Sequence, residues 1–230
     1  MHIWIRYFCF VCLATTVRIG YATAEEESQF DLERRASNDI LARMGIGGNG
    51  VDPCVELDIQ IAGQDTGKII VKLQSDWAPL TVKNFMYYVG QKYYDGTIFH
   101  RIIPGFMVQG GAFTENLYDG NRPTEKPGQN PPIQLEANHP NTKGTLAMAR
   151  TSDPNSATSQ FFINLVDNAF LNPNPSSAGY TAFAVVLDGM DLVERMGKVQ
   201  TQTLPSGFAD VPRKESEVRL VRAVATVCPN

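Results

Sequence analysis

A mainly β fold is the class this chain predicts, and three observations predict it. Val55, Leu57, Ile59 and Ile61 alternate with Glu56, Asp58 and Gln60, the period-2 pattern of a half-buried strand. From Gly90 to Met190 the apolar runs are short and are split by clusters of Gly, Pro and Asn, notably 120–132 and 172–179, which reads as short strands joined by long loops. Helical periodicity is confined to a few short segments. A closed antiparallel barrel, which leaves no exposed edge, suits many short strands, and a β-sandwich suits the same pattern nearly as well.

The elements follow in order. After the first strand, 63–67 turns the chain and 68–73 returns as the second arm of a hairpin. Pro79 suits the first turn of a helix, and Val82, Phe85, Met86 and Val89 recur at helical spacing before Gly90. Met190, Val193 and Met196 predict a second helix closed near Gly197, and 217–227 predicts a final strand.

Ahead of this domain, residues 1–24 contain no Asp or Glu and run from Arg6 through the apolar stretch 7–17 to Ala22-Thr23-Ala24, the layout of a secretory signal peptide. The apolar run is too short to span a bilayer, so no stable membrane insertion is expected after processing. Arg18 and the Thr content leave an organelle transit peptide as the alternative. Residues 25–51 form an N-terminal extension, with a short amphipathic helix within 28–44 and a Gly-rich linker at its end. The globular domain is 52–230, and export implies a secretory, periplasmic or extracellular location.

Composition narrows the function. The chain has 230 residues, 43% hydrophobic, 19% charged and a net charge of −4, which fits one domain with an appendage. No basic block is present, which excludes a nucleic-acid partner. Cys9 and Cys12 lie in the leader, and Cys54 and Cys228 remain as either free thiols or, in an oxidising compartment, a pair. No metal-ligand spacing survives processing, so no metal and no cofactor are expected. With only His100 and His139 in the mature chain, little remains for a His-dependent nucleophile.

Three segments carry the functional signal: Phe99-His100-Arg101-Ile102-Ile103-Pro104-Gly105-Phe106-Met107-Val108-Gln109-Gly110-Gly111, then Ala147-Met148-Ala149-Arg150, then Ser159-Gln160-Phe161-Phe162-Ile163-Asn164. Taken singly, Phe162 and Met107 read as core residues and Arg101 as a surface ion-pair partner. Together and in this order they closely resemble the cyclophilin family of peptidyl-prolyl cis-trans isomerases over 53–227. The resemblance implies an eight-stranded closed antiparallel barrel capped by two helices, with the site on an outer face.

It also implies the site. Arg101, Phe106 and Gln109 correspond to catalytic positions, and Met107, Ala149, Arg150, Gln160, Phe162, Phe170, Leu171 and Tyr180 to substrate-binding ones. The implied substrate is a proline-containing polypeptide, acted on by a monomer. The non-catalytic alternative is a proline-peptide-binding chaperone module on the same fold. Ala112, Arg150, Phe170 and Tyr180 stand where cytosolic eukaryotic cyclophilins usually carry Asp, Asn, Trp and His, and the bacterial periplasmic branch is similar at these points. With Phe170 in place of Trp, weak or no cyclosporin binding is expected. In the family's barrel the first and last strands are antiparallel neighbours, which would bring Cys54 to Cys228 as a disulfide.

The proposed chemistry is undemanding. An X-Pro bond isomerises over a barrier of about 18 to 20 kcal/mol set by amide resonance, and nothing covalent breaks. In the twisted state the prolyl nitrogen becomes basic. A forked permanent cation such as the Arg101 guanidinium donates to that nitrogen only in the transition state.

Overall fold

A computed structural model describes residues 53–120 and 123–229. The leader, the 25–51 extension with its expected helix, and Cys9 and Cys12 lie outside the described residues. Among the described residues no helix is long and apolar enough to cross a membrane.

Among the described residues there are eleven strands and two α-helices: β1 (Cys54–Ile61), β2 (Asp65–Leu73), α1 (Pro79–Gly90), β3 (Thr97–Ile98), β4 (Arg101–Ile103), β5 (Met107–Gly110), β6 (Thr145–Met148), β7 (Phe161–Asn164), β8 (Ala182–Asp188), α2 (Met190–Met196), β9 (Thr201–Gln202), β10 (Val211–Pro212) and β11 (Val218–Thr226). Nine strands form one sheet in the order β3-β11-β1-β2-β8-β6-β7-β5-β4, and β9 and β10 form a separate pair. The count is nine where eight strands were expected. β3 and β4 stand at opposite ends of this sheet yet are separated only by Phe99 and His100, so the sheet curls.

The period-2 pattern sorts as anticipated: Val55, Leu57 and Ile59 are buried while Glu56, Asp58 and Gln60 are half-buried at the surface. On the solvent side Glu56 and Asp58 meet Lys68 and Arg222 from the flanking strands. The hairpin turn is tighter than expected. Ala62 and Gly63 both take positive φ, 54° and 71°, and the Gln64 N–H donates to the Ile61 carbonyl at 3.2 Å, so β2 starts at Asp65 rather than after Gly67.

Helix α1 buries Val82, Phe85, Met86 and Val89 on the sheet, as its spacing predicts. It runs through Gly90, and the left-handed residue beyond its end is Lys92, at φ 54°. Its N-cap position is Ala78, which supplies no side-chain bond. Glu136 replaces the cap from a distant loop: its carboxylate accepts the Leu80 N–H at 3.1 Å, the Thr81 N–H at 2.8 Å and the Thr81 hydroxyl at 2.9 Å. Helix α2 follows Gly189, at φ 85°, where a Cβ would stand 2.3 Å from the Lys68 carbonyl oxygen, so only glycine allows this approach to β2.

Cys54 and Cys228 form a disulfide with a Cα–Cα distance of 5.1 Å. The ladder explains it: β1 and β11 pair antiparallel with Cys54 opposite Thr226, two residues before Cys228.

Candidate active site

Side-chain alternation along β4 to β8 splits the sheet into two faces. Ile102, Val108, Ile163, Leu146 and Ala184 lie opposite one another from strand to strand, and all belong to the main core. The intervening positions therefore face outward. There, Arg101 opposes Gln109, Gln109 opposes Phe162, Phe162 opposes Ala147, and Ala147 opposes Ala182. The outward row passes from a cation through an amide to an apolar floor.

That floor is a second apolar cluster, distinct from the core. Met107, Ala147, Phe162, Leu171 and Ala182 are buried in it, and Ile103, Phe106, Ala149 and Tyr180 pack against it. Phe162 meets the Tyr180 ring edge-on at 5.8 Å. Phe170 stands at the rim, 65% exposed, with its ring 5.3 Å from that of Phe106. Leu171 reaches the floor because the short 3-10 turn Ala169–Leu171 folds back, with the Tyr180 N–H donating to the Leu171 carbonyl at 3.0 Å.

Polar side chains frame the pocket on two sides. Gln109 Nε2 donates to Gln160 Oε1 at 2.9 Å, and Gln160 Nε2 donates to Glu125 Oε1 at 2.6 Å. Gln109 is thus held to Gln160 through its Nε2. Arg150 is tied down, with Nε on the Gly179 carbonyl at 3.0 Å, Nη1 on the Thr151 carbonyl at 2.9 Å, and its guanidinium 4.5 Å from the Tyr180 ring centre. The Ala149 N–H donates to the Gln160 carbonyl at 2.9 Å, so the two shelf segments are zipped together.

Every site residue expected from the sequence therefore falls on one outer face or its rim, apart from the two cysteines, which sit at the far strands β1 and β11. His100 is not part of this face. It points to the opposite side of Arg101, 5% exposed, against Phe113, and burial lowers its pKa to about 4, which keeps the ring neutral.

Sequence reasoning passed over the layer beneath the pocket. Asn164 Nδ2 donates to Thr145 Oγ1 at 2.9 Å and to Asn141 Oδ1 at 3.2 Å, and Asn168 Nδ2 donates to Asn164 Oδ1 at 2.7 Å and to the Phe106 carbonyl at 3.0 Å. Asn141 Nδ2 also holds the Tyr180 carbonyl at 3.1 Å. These buried amides fix the segments that carry Phe106, Leu171 and Tyr180. The density of Asn between 164 and 174 was the available signal, and it reads equally well as a loop composition. Asp210, 3.7 Å from Arg101, was also passed over.

This outer face thus carries an apolar cluster with Gln109 and the Arg101 cation on the strands beside it. Residues 57–224 match the family model described as cyclophilin type peptidyl-prolyl cis-trans isomerase/CLD. The chain belongs to that family and is a peptidyl-prolyl cis-trans isomerase. Among its relatives, a peptidyl-prolyl cis-trans isomerase of Acinetobacter baylyi is 49% identical over 139 residues, 60% of this chain and 70% of the relative. Peptidyl-prolyl cis-trans isomerase B of Escherichia coli is 48% identical over 155 residues, 65% of this chain and 89% of the relative. Peptidyl-prolyl cis-trans isomerase A of Dickeya dadantii is 42% identical over 160 residues, 69% and 80% respectively.

Proposed function

We propose that this isomerase acts on X-Pro bonds of exported polypeptides and assists their folding, with Arg101 as the group that lowers the barrier. The carrying observation is the register row Arg101-Gln109-Phe162-Ala147, which sets one cation beside a buried apolar floor. In this reading the proline ring rests on Met107, Phe162 and Leu171, walled by Phe106. The peptide main chain lies along Gln160, Ala149 and Arg150. The Arg101 guanidinium donates to the prolyl nitrogen as conjugation is lost, an interaction absent from both planar ground states. No proton is transferred, so the reaction needs no titrating base.

Export rests on the leader-like residues 1–24 and is supported by the Cys54–Cys228 disulfide, since such bonds persist in oxidising compartments. The domain works as a monomer after removal of 1–24, with 25–51 as its extension. Its sheet is read as a closed eight-stranded barrel in which β3 and β4 are two parts of one strand bent at Phe99-His100. Phe170 offers no indole N–H, so cyclosporin binds weakly, and calorimetry giving nanomolar affinity would contradict that.

Arg101→Ala tests the mechanism. Loss of a preorganised charged donor costs roughly 2.7 to 4 kcal/mol, about a hundredfold to a thousandfold in kcat/KM for a prolyl peptide. Arg101→Lys recovers little, since an ammonium lacks the fork. A folded Arg101→Ala protein that keeps more than half its activity would sink the mechanism.

A further inference from the structure

We propose that Asp210 is a positioning residue for Arg101, fixing the direction in which its guanidinium faces the pocket; this rests on the reading of Arg101 as the catalytic cation. Arg101 has a long stem, and its side chain is 45% exposed, so packing alone does not select its rotamer. Gln109, its ladder partner, is held to Gln160 through its Nε2. Among the described residues Arg101 makes a charged contact with Asp210, whose Oδ2 lies 3.7 Å from Nε. A carboxylate on the Nε edge leaves the Nη–Nη end of the guanidinium free to donate elsewhere.

Asp210 is itself held in place. On the side of β4 away from β5 the Ile102 N–H meets no ladder partner in the sheet, and the Asp210 carbonyl takes it at 2.8 Å. The residue that anchors the chain next to Arg101 is thus the one whose carboxylate meets the guanidinium. Asp210 adopts φ 59°, a left-handed conformation that Asp and Asn tolerate better than other side chains. The following Val211 is fully buried with Ile98, Phe113, Leu117 and Leu204, and β10 is paired to β9. The carboxylate therefore sits on a clamped backbone rather than on a loose loop.

An exposed pair at this distance adds little to stability. Its effect falls on the fraction of molecules with the guanidinium correctly aimed, and so on kcat. Asp210→Gly removes the carboxylate while suiting positive φ, and Asp210→Asn keeps the shape without the charge. For a prolyl peptide, Asp210→Gly should lower kcat about twofold to fivefold, the range an exposed ion pair can supply, with KM unchanged. Asp210→Asn should fall between it and the parent. The Arg101 Nε–H resonance, assigned by its loss in Arg101→Ala, should shift in Asp210→Gly. An unchanged kcat in Asp210→Gly, a loss carried by KM, or an unmoved Nε–H resonance would overturn the proposal while leaving the role of Arg101 intact. Should Asp210→Gly fail to fold, kcat and the resonance in Asp210→Asn decide by the same criteria. An Arg101→Ala protein with near-parental activity would remove the underlying reading and this one with it.

Discussion

Opening the Cys54–Cys228 bridge is the perturbation whose size can be worked most directly from the structure. The bond links residues 174 apart in sequence, so it constrains nearly the whole domain in the unfolded state. The loop-closure relation gives an entropic stabilisation on the order of 5 kcal/mol for a loop of that length, as an upper bound. Residual structure in the unfolded chain reduces it. For a domain of this size each kcal/mol moves Tm by about 2 to 4 °C, so the limit is a fall of roughly 10 to 20 °C. Cys228→Ser is the cleaner variant, because Cys54 is fully buried and replacing it would add a packing loss. Calorimetry on 25–230, oxidised against Cys228→Ser, reads the difference, and prolyl-peptide turnover should survive because neither cysteine lies on β4 to β8. A Tm equal within about 1 °C, or two reactive thiols per chain in denatured, unreduced protein, would refute the reasoning.

Two further predictions concern stability. Glu136→Ala should cost about 1 to 2 kcal/mol in urea unfolding, because the N–H groups of Leu80 and Thr81 lose their acceptor and Ala78 offers none. A midpoint unchanged by the substitution would show that water caps α1 as well as the carboxylate does. For His100 the folded pKa is lowered to about 4 against an ordinary value of 6.5, so the unfolded chain binds the proton first as pH falls. Its contribution is fully present above about pH 6.5 and is lost progressively down to about pH 4, roughly 3 kcal/mol in all. Replacing it by Phe, which keeps an aromatic ring beside Phe113, should flatten the difference in urea midpoint between pH 7 and 4.5; an undiminished difference would assign it to other groups.

The strand β1, the helices α1 and α2, and the final strand were legible because each carries its own period: burial of one face is enough to define them. Arg101, Gln109 and Phe162 were brought to one site by the resemblance of the three motifs to the cyclophilin family, not by any period of their own. Strand order was not local. The sequence alone allowed a sandwich or a barrel, and only pairing across distant residues distinguishes sheets that share the same alternation. Turn details also escaped: Ala62 and Lys92 take positive φ although neither residue type favours it.

What the tertiary structure alone decided is the set of partners. Glu136 caps a helix more than fifty residues earlier, Asn141 and Asn168 hold the floor of the pocket from separate loops, and Asp210 reaches Arg101 from the far side of the chain. A carboxylate or an amide in a loop looks the same in sequence whether it faces water or an orphaned N–H. The sequence by itself therefore determined the strands and helices that carry a period and, through motifs that resemble a family, the side chains that could perform the chemistry. Their aim was settled by folding, because a buried or edge polar group takes whatever partner the packed chain brings within hydrogen-bond reach.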